Sequence, residues 1–368
     1  MAKLNIIGQI MGTSGYSSHT SQLAAALSKD HDVRLSVGLP QGWERLVNDQ
    51  QLEQIRKEDS QDRINIIIDL PYTWIYHADK KINIGFLIFE GDKIPKSWIK
   101  YLMDERIKQI WCPSSHVQQA VVNTLQSREN YLMTTEEQKG IFDKIKIVPH
   151  GVDLNLFKPE NKPEKFTFIC NKGFRNLYDR GGIQYAVKAF CSEFKLGEAK
   201  LLVKLNPAYA TNSQALQYMI QQLNLGDTIK DVQFSMEQVP MEMMGKIYNS
   251  GHVFLSPTGA EAFNLPCAES LACGLAVITS NFGGQIDYVD SSCGILIGGE
   301  LREVKNEIFY EGVRWLRPDM NELRKAMRYA YEHPKEMEEK GKKGIEKMKE
   351  WTWENSAKLA TKFLEELK

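Results

Sequence analysis

Two glutamates eight residues apart, Glu261 and Glu269, are the residues in this 368-residue sequence whose type and spacing best suit a ligand. They stand in Ser256-Pro-Thr-Gly-Ala-Glu261-Ala-Phe-Asn-Leu-Pro266-Cys-Ala-Glu269, with a proline between them that can start a helix. That pattern places Glu261 on a loop beyond a strand and Glu269 in the first helical turn, both facing one cleft. A carboxylate accepts hydrogen bonds from neighbouring hydroxyls in pairs, so these acids suit hexose and ribose recognition. Glu269 also fits a plainer role, complementing the helix dipole.

A second constellation is Asn171-Lys172-Gly-Phe-Arg175-Asn-Leu-Tyr-Asp-Arg180-Gly-Gly182. Guanidinium forks and an ammonium grip phosphate oxygens, while glycines let backbone N–H groups come close. Such a loop between a strand and a helix makes a diphosphate cradle; its bland reading is a solvated basic loop. A third is the glycine-rich turn Gly8-Gln-Ile-Met-Gly12-Thr-Ser-Gly15, where a helix N-terminus would favour anionic groups. Its spacing is not GxGxxG, and only Asp30 and Asp32 could serve as an acidic ribose partner, so it equally fits an ordinary turn.

The elements that position these groups follow from periodicity. Apolar runs at 3–8, 33–37, 64–70, 82–89, 109–112 and 145–149 read as strands, with helical periodicity at 17–27, 95–106 and 115–125. The pattern then restarts. Strands are expected at 166–170, 201–205, 232–234, 253–256, 276–279 and 294–297, and helices at 183–194, 213–223, 241–248, 266–273 and 285–289. Strand–helix alternation implies parallel sheets, and continuously apolar strands imply sheets covered on both faces. The proline-bearing stretch His150–Pro163 suits a domain junction near residue 158. Residues 334–349 read as a solvated Lys/Glu helix, and the segment after Trp351-Thr-Trp-Glu as a final amphipathic helix.

Composition bounds the class. A chain of this length suggests two domains at about 100–200 residues each. Hydrophobic residues make up 42% and charged residues 25%, with a formal net charge of −1. This describes a globular enzyme and lacks the basic excess of a nucleic-acid binder. No run approaches the ~20 apolar residues of a membrane span. The six cysteines show no CxxC pair, which points to buried free thiols in a reducing cytoplasm rather than a zinc site.

The Glu261-x7-Glu269 element, followed by Leu275-Ala-Val-Ile-Thr-Ser280 and Gly283-Gly284, resembles the donor site of family 4 retaining glycosyltransferases. The resemblance extends over nearly the whole chain, through the glycine loop at 12–15, Trp111-Cys-Pro-Ser-Ser115, His150-Gly-Val-Asp153, the basic loop at 172–182 and Trp351-Thr-Trp-Glu. It implies an α/β protein of the GT-B fold, two Rossmann-like doubly wound domains facing a central cleft. These would be an acceptor domain over 1–158, completed by the C-terminal helix at 352–368, and a donor domain over 159–350. Glu269 would hold the nucleotide ribose and Glu261 the donor sugar. Backbone N–H groups near Phe263, Asn264 and Leu265 would approach the sugar and diphosphate. Arg175 would grip the diphosphate, with Arg180 or Lys172 as the second cation, and Gly12 and Gly15 would let the donor phosphate approach the first domain.

Three departures from the family pattern stand out. Ala262 and Asn264 replace the glycines of Glu-Gly-Phe-Gly; Asn264 tolerates a left-handed backbone but would narrow the pocket. Arg175-x4-Arg180-Gly181 stands for Arg-x4-Lys-Gly. The resemblance also implies a first-domain histidine near the reaction centre, for which His116, His77 and His19 are candidates and His116 is taken first. The acids of Phe89-Glu90-Gly-Asp92-Lys93 suit an acceptor instead. Loops 71–81 and 90–98 carry Tyr72, Trp74, Tyr76 and Trp98, which fit sugar stacking and core packing equally.

The implied reaction moves a hexose or 6-deoxyhexose from a UDP- or GDP-sugar to an acceptor hydroxyl with retention. It would use no metal and no cofactor, and the acceptor would be a carbohydrate or a lipid-linked one. A cytoplasmic location, at most peripheral to the membrane, and a role in polysaccharide or glycoconjugate synthesis fit it. The rivals are an inactive sugar-nucleotide-binding protein of the same fold and a GT-B epimerase.

Overall fold

Short, continuously apolar runs become strands buried on both faces, and amphipathic runs become the helices that cover them. The computed structural model describes residues 1–12, 14–38, 44, 47–127, 133–206, 211–305 and 310–367. They fall into two units: Met1–Gly151 with Val304–Val313 and Trp353–Lys368, and Val152–Glu303 with Arg314–Thr352.

The first unit runs β1 (Lys3–Ile7), α1 (Gly15–Leu27), β2 (Asp32–Ser36), α2 (Asp49–Arg56), β3 (Ile64–Ile68), α3 (Pro71–His77) and β4 (Asn83–Phe86). A 3-10 turn (Lys96–Trp98) leads into α4 (Ile99–Leu102), then β5 (Ile107–Cys112), α5 (Ser115–Leu125), α6 (Thr135–Lys144) and β6 (Ile145–Ile147). Its six strands are parallel, in the order β2-β1-β3-β4-β5-β6. The chain changes direction across the sheet between β1 and β3, where open α/β sheets take ligands off their carboxyl ends. The glycine-rich turn leaves β1 at that point.

The second unit runs β7 (Thr167–Lys172), α7 (Ile183–Glu193), β8 (Lys200–Leu205), α8 (Ser213–Leu223), β9 (Val232–Ser235), α9 (Met241–Asn249), β10 (Val253–Ser256), α10 (Leu265–Ala272), β11 (Ala276–Ser280) and β12 (Gly294–Ile297). An antiparallel hairpin, β13 (Gly299–Glu303) and β14 (Arg314–Pro318), then precedes α11 (Met320–Glu332) and α12 (Pro334–Met348). The parallel sheet has the order β12-β11-β10-β7-β8-β9, so its switch point lies between β7 and β10. Alternate residues of these strands feed two apolar cores. Phe168, Cys170, Leu255 and Ile278 join the core with α7, α8 and α11. Ile169, Phe254 and Val277 join the one with α10 and Tyr248. This period of two is why the strands read as unbroken apolar runs.

The last helix, α13 (Trp353–Glu365), belongs to the first unit and packs against α1. There His19 of α1 lies against Phe86, with ring centroids 4.3 Å apart, and against His150, at 4.2 Å; the Trp353 ring stacks at 5.8 Å from each histidine. The first unit ends at Gly151 rather than near residue 158, and it includes residues 304–313, which the sequence reading assigns to the donor domain. The reason is packing: Val313 is buried beside Gly91, and the Tyr310 ring stacks on Phe89 at 5.2 Å. Residues 71–77, expected as loop, form α3 with a proline in its first turn.

Burial lowers the pKa of both stacked histidines, that of His150 to about 3, and the neighbouring His150 lowers His19 further. An unfolded histidine takes a proton below about pH 6.5, whereas these resist it, so the stability they contribute is lost as pH falls from there. Urea unfolding of the wild type is expected to lose about 2 kcal/mol through His150 alone between pH 6.5 and 5. A His150→Phe variant should lack that share of the pH dependence.

Candidate functional site

The loops leaving β7 and β10 meet at the switch point of the second sheet, and there the two parts of the sequence richest in chemistry come together. Lys172 is the last residue of β7. Its Nζ donates to Glu261 Oε1 at 2.9 Å and to Asn264 Oδ1 at 2.6 Å. Arg180 reaches the other carboxylate oxygen, with a guanidinium nitrogen 3.3 Å from Glu261 Oε2, and donates to the Ala260 carbonyl at 3.1 Å. Glu261 is therefore a carboxylate, 14% exposed, shared between an ammonium and a guanidinium. Burial alone would raise its pKa, but the charges of Lys172 and Arg180 hold it below the ordinary carboxylate value.

Backbone contacts fix this arrangement. The Arg180 carbonyl accepts from Gly259 N at 2.7 Å and from Thr258 Oγ1 at 2.8 Å, tying the two loops together. Gly182 follows in the left-handed region (φ 80°) and caps α7; a Cβ there would run into the Pro257 carbonyl, so only glycine allows the approach. Gly284 N donates to the Glu261 carbonyl at 2.8 Å.

Asn264 is also left-handed (φ 75°), as the sequence allows, and stands at the N-cap of α10. Its side chain turns inward, 3% exposed, with the amide nitrogen donating to Ser256 Oγ at 3.0 Å and the amide oxygen engaged with Lys172. Phe263 is buried, its ring packed against Tyr288 and Trp351, and Leu265 begins the helix.

Glu269 lies one residue beyond the first turn of α10. The Tyr248 hydroxyl, from α9, donates to Glu269 Oε2 at 2.5 Å and accepts from Asn171 Nδ2 at 2.9 Å. Burial pushes the Glu269 carboxyl up to about 7, while the Tyr248 hydrogen bond and the Lys172 charge work against that shift. Neighbouring residues at the end of β7 thus serve two carboxylates. Asn171, on one face of the strand, reaches the Glu269 arm, and Lys172, on the other, reaches Glu261. Asn171 stands in the basic-loop motif without this role and Tyr248 does not stand out, because nothing in their spacing shows that α9 lies beside α10.

Arg175, expected as the principal diphosphate cation, does not join this group. Its backbone N–H and its Nε both lie on Asp179 Oδ2, at 3.1 and 3.3 Å, and its side chain is 40% exposed. Asp179, closing the turn at 176–179, draws Arg175 aside, while Gly181 N caps the same carboxylate at 2.8 Å. The pair of cations at Glu261 is Lys172 and Arg180.

The first-unit candidates are placed as follows. Gly12 has φ 94°, with no atom of the described residues within 4 Å of where a Cβ would stand, and Gly15 opens α1 behind the N-cap Ser14. Thr13 between them lies outside the described residues. His116 is the second residue of α5 and buried; His77 ends α3, half-buried; His19 is enclosed in the aromatic stack. The Tyr310 hydroxyl donates to Glu90 Oε2 at 3.2 Å, and Asp92 is buried. Of the aromatics, Trp74 and Trp98 are core residues, while Tyr76 is 77% exposed. Among the described residues no three His, Cys, Asp or Glu side chains gather to hold a metal ion, and no helix is long and apolar enough to cross a membrane. All six cysteines are free, and all but Cys191 are buried.

Two α/β units, each with a six-stranded parallel sheet and a ligand-suited switch point, define a GT-B architecture. The chain belongs to the glycosyl transferases group 1 family, whose model matches residues 155–347. It is 25% identical to a D-inositol 3-phosphate glycosyltransferase of Thermomonospora curvata over 62% of this chain and 55% of that protein. The chain thus spans about half the length of that relative. The sucrose-phosphate synthase structure from Thermosynechococcus elongatus is similar over 100% of this chain and 99% of that one, with 18% identity and a TM-score of 0.69. Anabaena HepE in complex with UDP-glucose is similar over 100% of both chains, with 12% identity and a TM-score of 0.70.

Tyr248→Phe keeps the buried ring and removes only the hydroxyl. A donor to the charged carboxylate is lost, so the Glu269 titration midpoint is expected to move up from about 7. Carboxyl-carbon NMR of glutamate-labelled protein would read the shift; an unmoved midpoint would show that the hydroxyl does not govern this acid.

Proposed function

We propose that this chain is a retaining, metal-independent glycosyltransferase that moves a hexose or 6-deoxyhexose from a UDP- or GDP-sugar to an acceptor hydroxyl. The observation that carries the proposal is the Lys172–Glu261–Arg180 ion cluster beside the half-buried Glu269, set at the switch point of the second sheet. Membership of the glycosyl transferases group 1 family supports it. So does the likeness in fold to HepE, which was solved with UDP-glucose.

In this reading Glu269 accepts hydrogen bonds from the ribose hydroxyls and Glu261 from the donor sugar. The backbone N–H groups around Phe263, Asn264 and Leu265, at the start of α10, face the sugar and diphosphate. Lys172 and Arg180 stabilise the negative charge that grows on the diphosphate as its bond to the sugar C1 breaks. The acceptor oxygen bonds to C1 on the same face, and its proton passes to the departing phosphate oxygen, so no protein nucleophile is required. Gly12 and Gly15 serve the donor phosphate, and His116 is the first-unit residue assigned to the reaction centre. Arg175 retains only an outer role in diphosphate binding. The acceptor is a carbohydrate or a lipid-linked one, met in the cytoplasm or at the inner face of the membrane, in polysaccharide or glycoconjugate synthesis.

A thermal-shift screen against UDP, GDP, TDP and their sugars tests this directly. A ligand at 100-fold its Kd should stabilise the protein by about 2.7 kcal/mol, and no shift with any of them would overturn the reading. With the donor identified, Glu269→Ala should mainly weaken donor binding and Glu261→Ala mainly lower turnover. Arg180→Ala should reduce kcat by more than it raises KM, because leaving-group charge peaks in the transition state. Because ribose hydroxyls need the ionised carboxylate, nucleotide affinity should fall below pH 7, at most about tenfold per pH unit.

A further inference from the structure

We infer that Asn264 is a positioning residue for the diphosphate-binding lysine: its side-chain amide holds the Lys172 ammonium in place without neutralising it. The inference rests on the donor-site reading above and adds a residue to it.

The geometry separates the two jobs of Asn264. Its backbone is fixed independently of its side chain. The Tyr288 hydroxyl lies 2.9 Å from the Asn264 carbonyl, and that carbonyl accepts from Cys267 N at 3.0 Å in the first turn of α10. The left-handed backbone by itself asks for nothing larger than glycine. The side chain is a different matter. Its nitrogen is committed to Ser256 Oγ at the end of β10, which fixes the amide orientation and aims the oxygen at Lys172 Nζ, 2.6 Å away.

Lys172 thus has two acceptors, Glu261 Oε1 and Asn264 Oδ1, and one further ammonium proton to offer. Only one of the acceptors carries charge. When Glu261 turns part of its hydrogen-bonding capacity to sugar hydroxyls, the neutral amide still holds the buried lysine at the end of β7. An ammonium on a flexible four-carbon stem would otherwise have to be ordered when the diphosphate arrives. A carboxylate in place of the amide would hold it equally well and cancel its charge.

The test measures UDP and GDP binding calorimetrically with the full chain, in wild type, Asn264→Gly, Lys172→Met, the double variant and Asn264→Asp. Asn264→Gly preserves the left-handed backbone and is expected to weaken binding of the accepted nucleotide about tenfold when Lys172 is present. In the Lys172→Met background it should cost about twofold or less, because its role is exerted through the lysine. Asn264→Asp should weaken binding too, most strongly at low ionic strength. An equal loss from Asn264→Gly in both backgrounds would overturn the inference while leaving the donor site intact. Wild-type affinity in both Asn264→Gly and Asn264→Asp would do the same. A wild type that binds neither nucleotide would overturn the donor-site reading, and this inference with it.

Discussion

One buried carboxylate organises the second unit. Glu261 sits where its charge is unfavourable, and it is held ionised because Lys172 at the end of β7 and Arg180 in the loop that follows reach it, 89 and 81 residues earlier in the chain. A buried ion left without its partners costs several kcal/mol, so the loops after β7 and β10 must close to within hydrogen-bonding distance. The contact between the Arg180 carbonyl and Gly259, the left-handed Gly182 and the tie from Gly284 to the Glu261 carbonyl are the backbone means of holding that distance. The strand order makes it attainable in the first place, by setting β7 beside β10. The same cluster that stabilises the loops presents cationic groups at the carboxyl ends of the strands.

Much of the fold is legible in the sequence because strong periodicity leaves little choice. The helices expected at 115–125 and 213–223 and the strand at 253–256 coincide with α5, α8 and β10. What escapes the reading is weakly apolar. In the hairpin, β13 (Gly-Glu-Leu-Arg-Glu) is largely exposed and charged, and β14 (Arg-Trp-Leu-Arg-Pro) buries only Leu316 and Pro318, too little apolar surface to mark a strand. Helices α2 and α6 bury one residue each, and burial periodicity therefore misses them. Their capping boxes, Asn48 with Gln51 and Thr134 with Glu137, were the available signal. Residues 304–313 fall to the first unit through Tyr310 and Val313, a tertiary choice that no local pattern encodes.

The candidate site divides along the same line. The glutamates and the basic loop are local patterns, and they are visible. Which cation serves Glu261 is not local, because it depends on how the loop between Lys172 and Arg180 folds. Asp179 captures Arg175 there and leaves the strand-end lysine facing inward. The roles of Tyr248 and Asn171 at Glu269 are invisible for the same reason, since they arise only once α9 packs beside α10. The asparagine at 264 reads in sequence as an obstruction. In the structure it is a bridge between Ser256 and Lys172.

The most direct measurement is a crystal structure of the full chain with the nucleoside diphosphate it binds. The arrangement described here requires the ribose hydroxyls to lie within hydrogen-bonding distance of the Glu269 carboxylate and the diphosphate oxygens within reach of Lys172 Nζ and the Arg180 guanidinium. A nucleotide bound elsewhere, or one that leaves Lys172, Arg180 and Glu269 in their unliganded contacts, would contradict it.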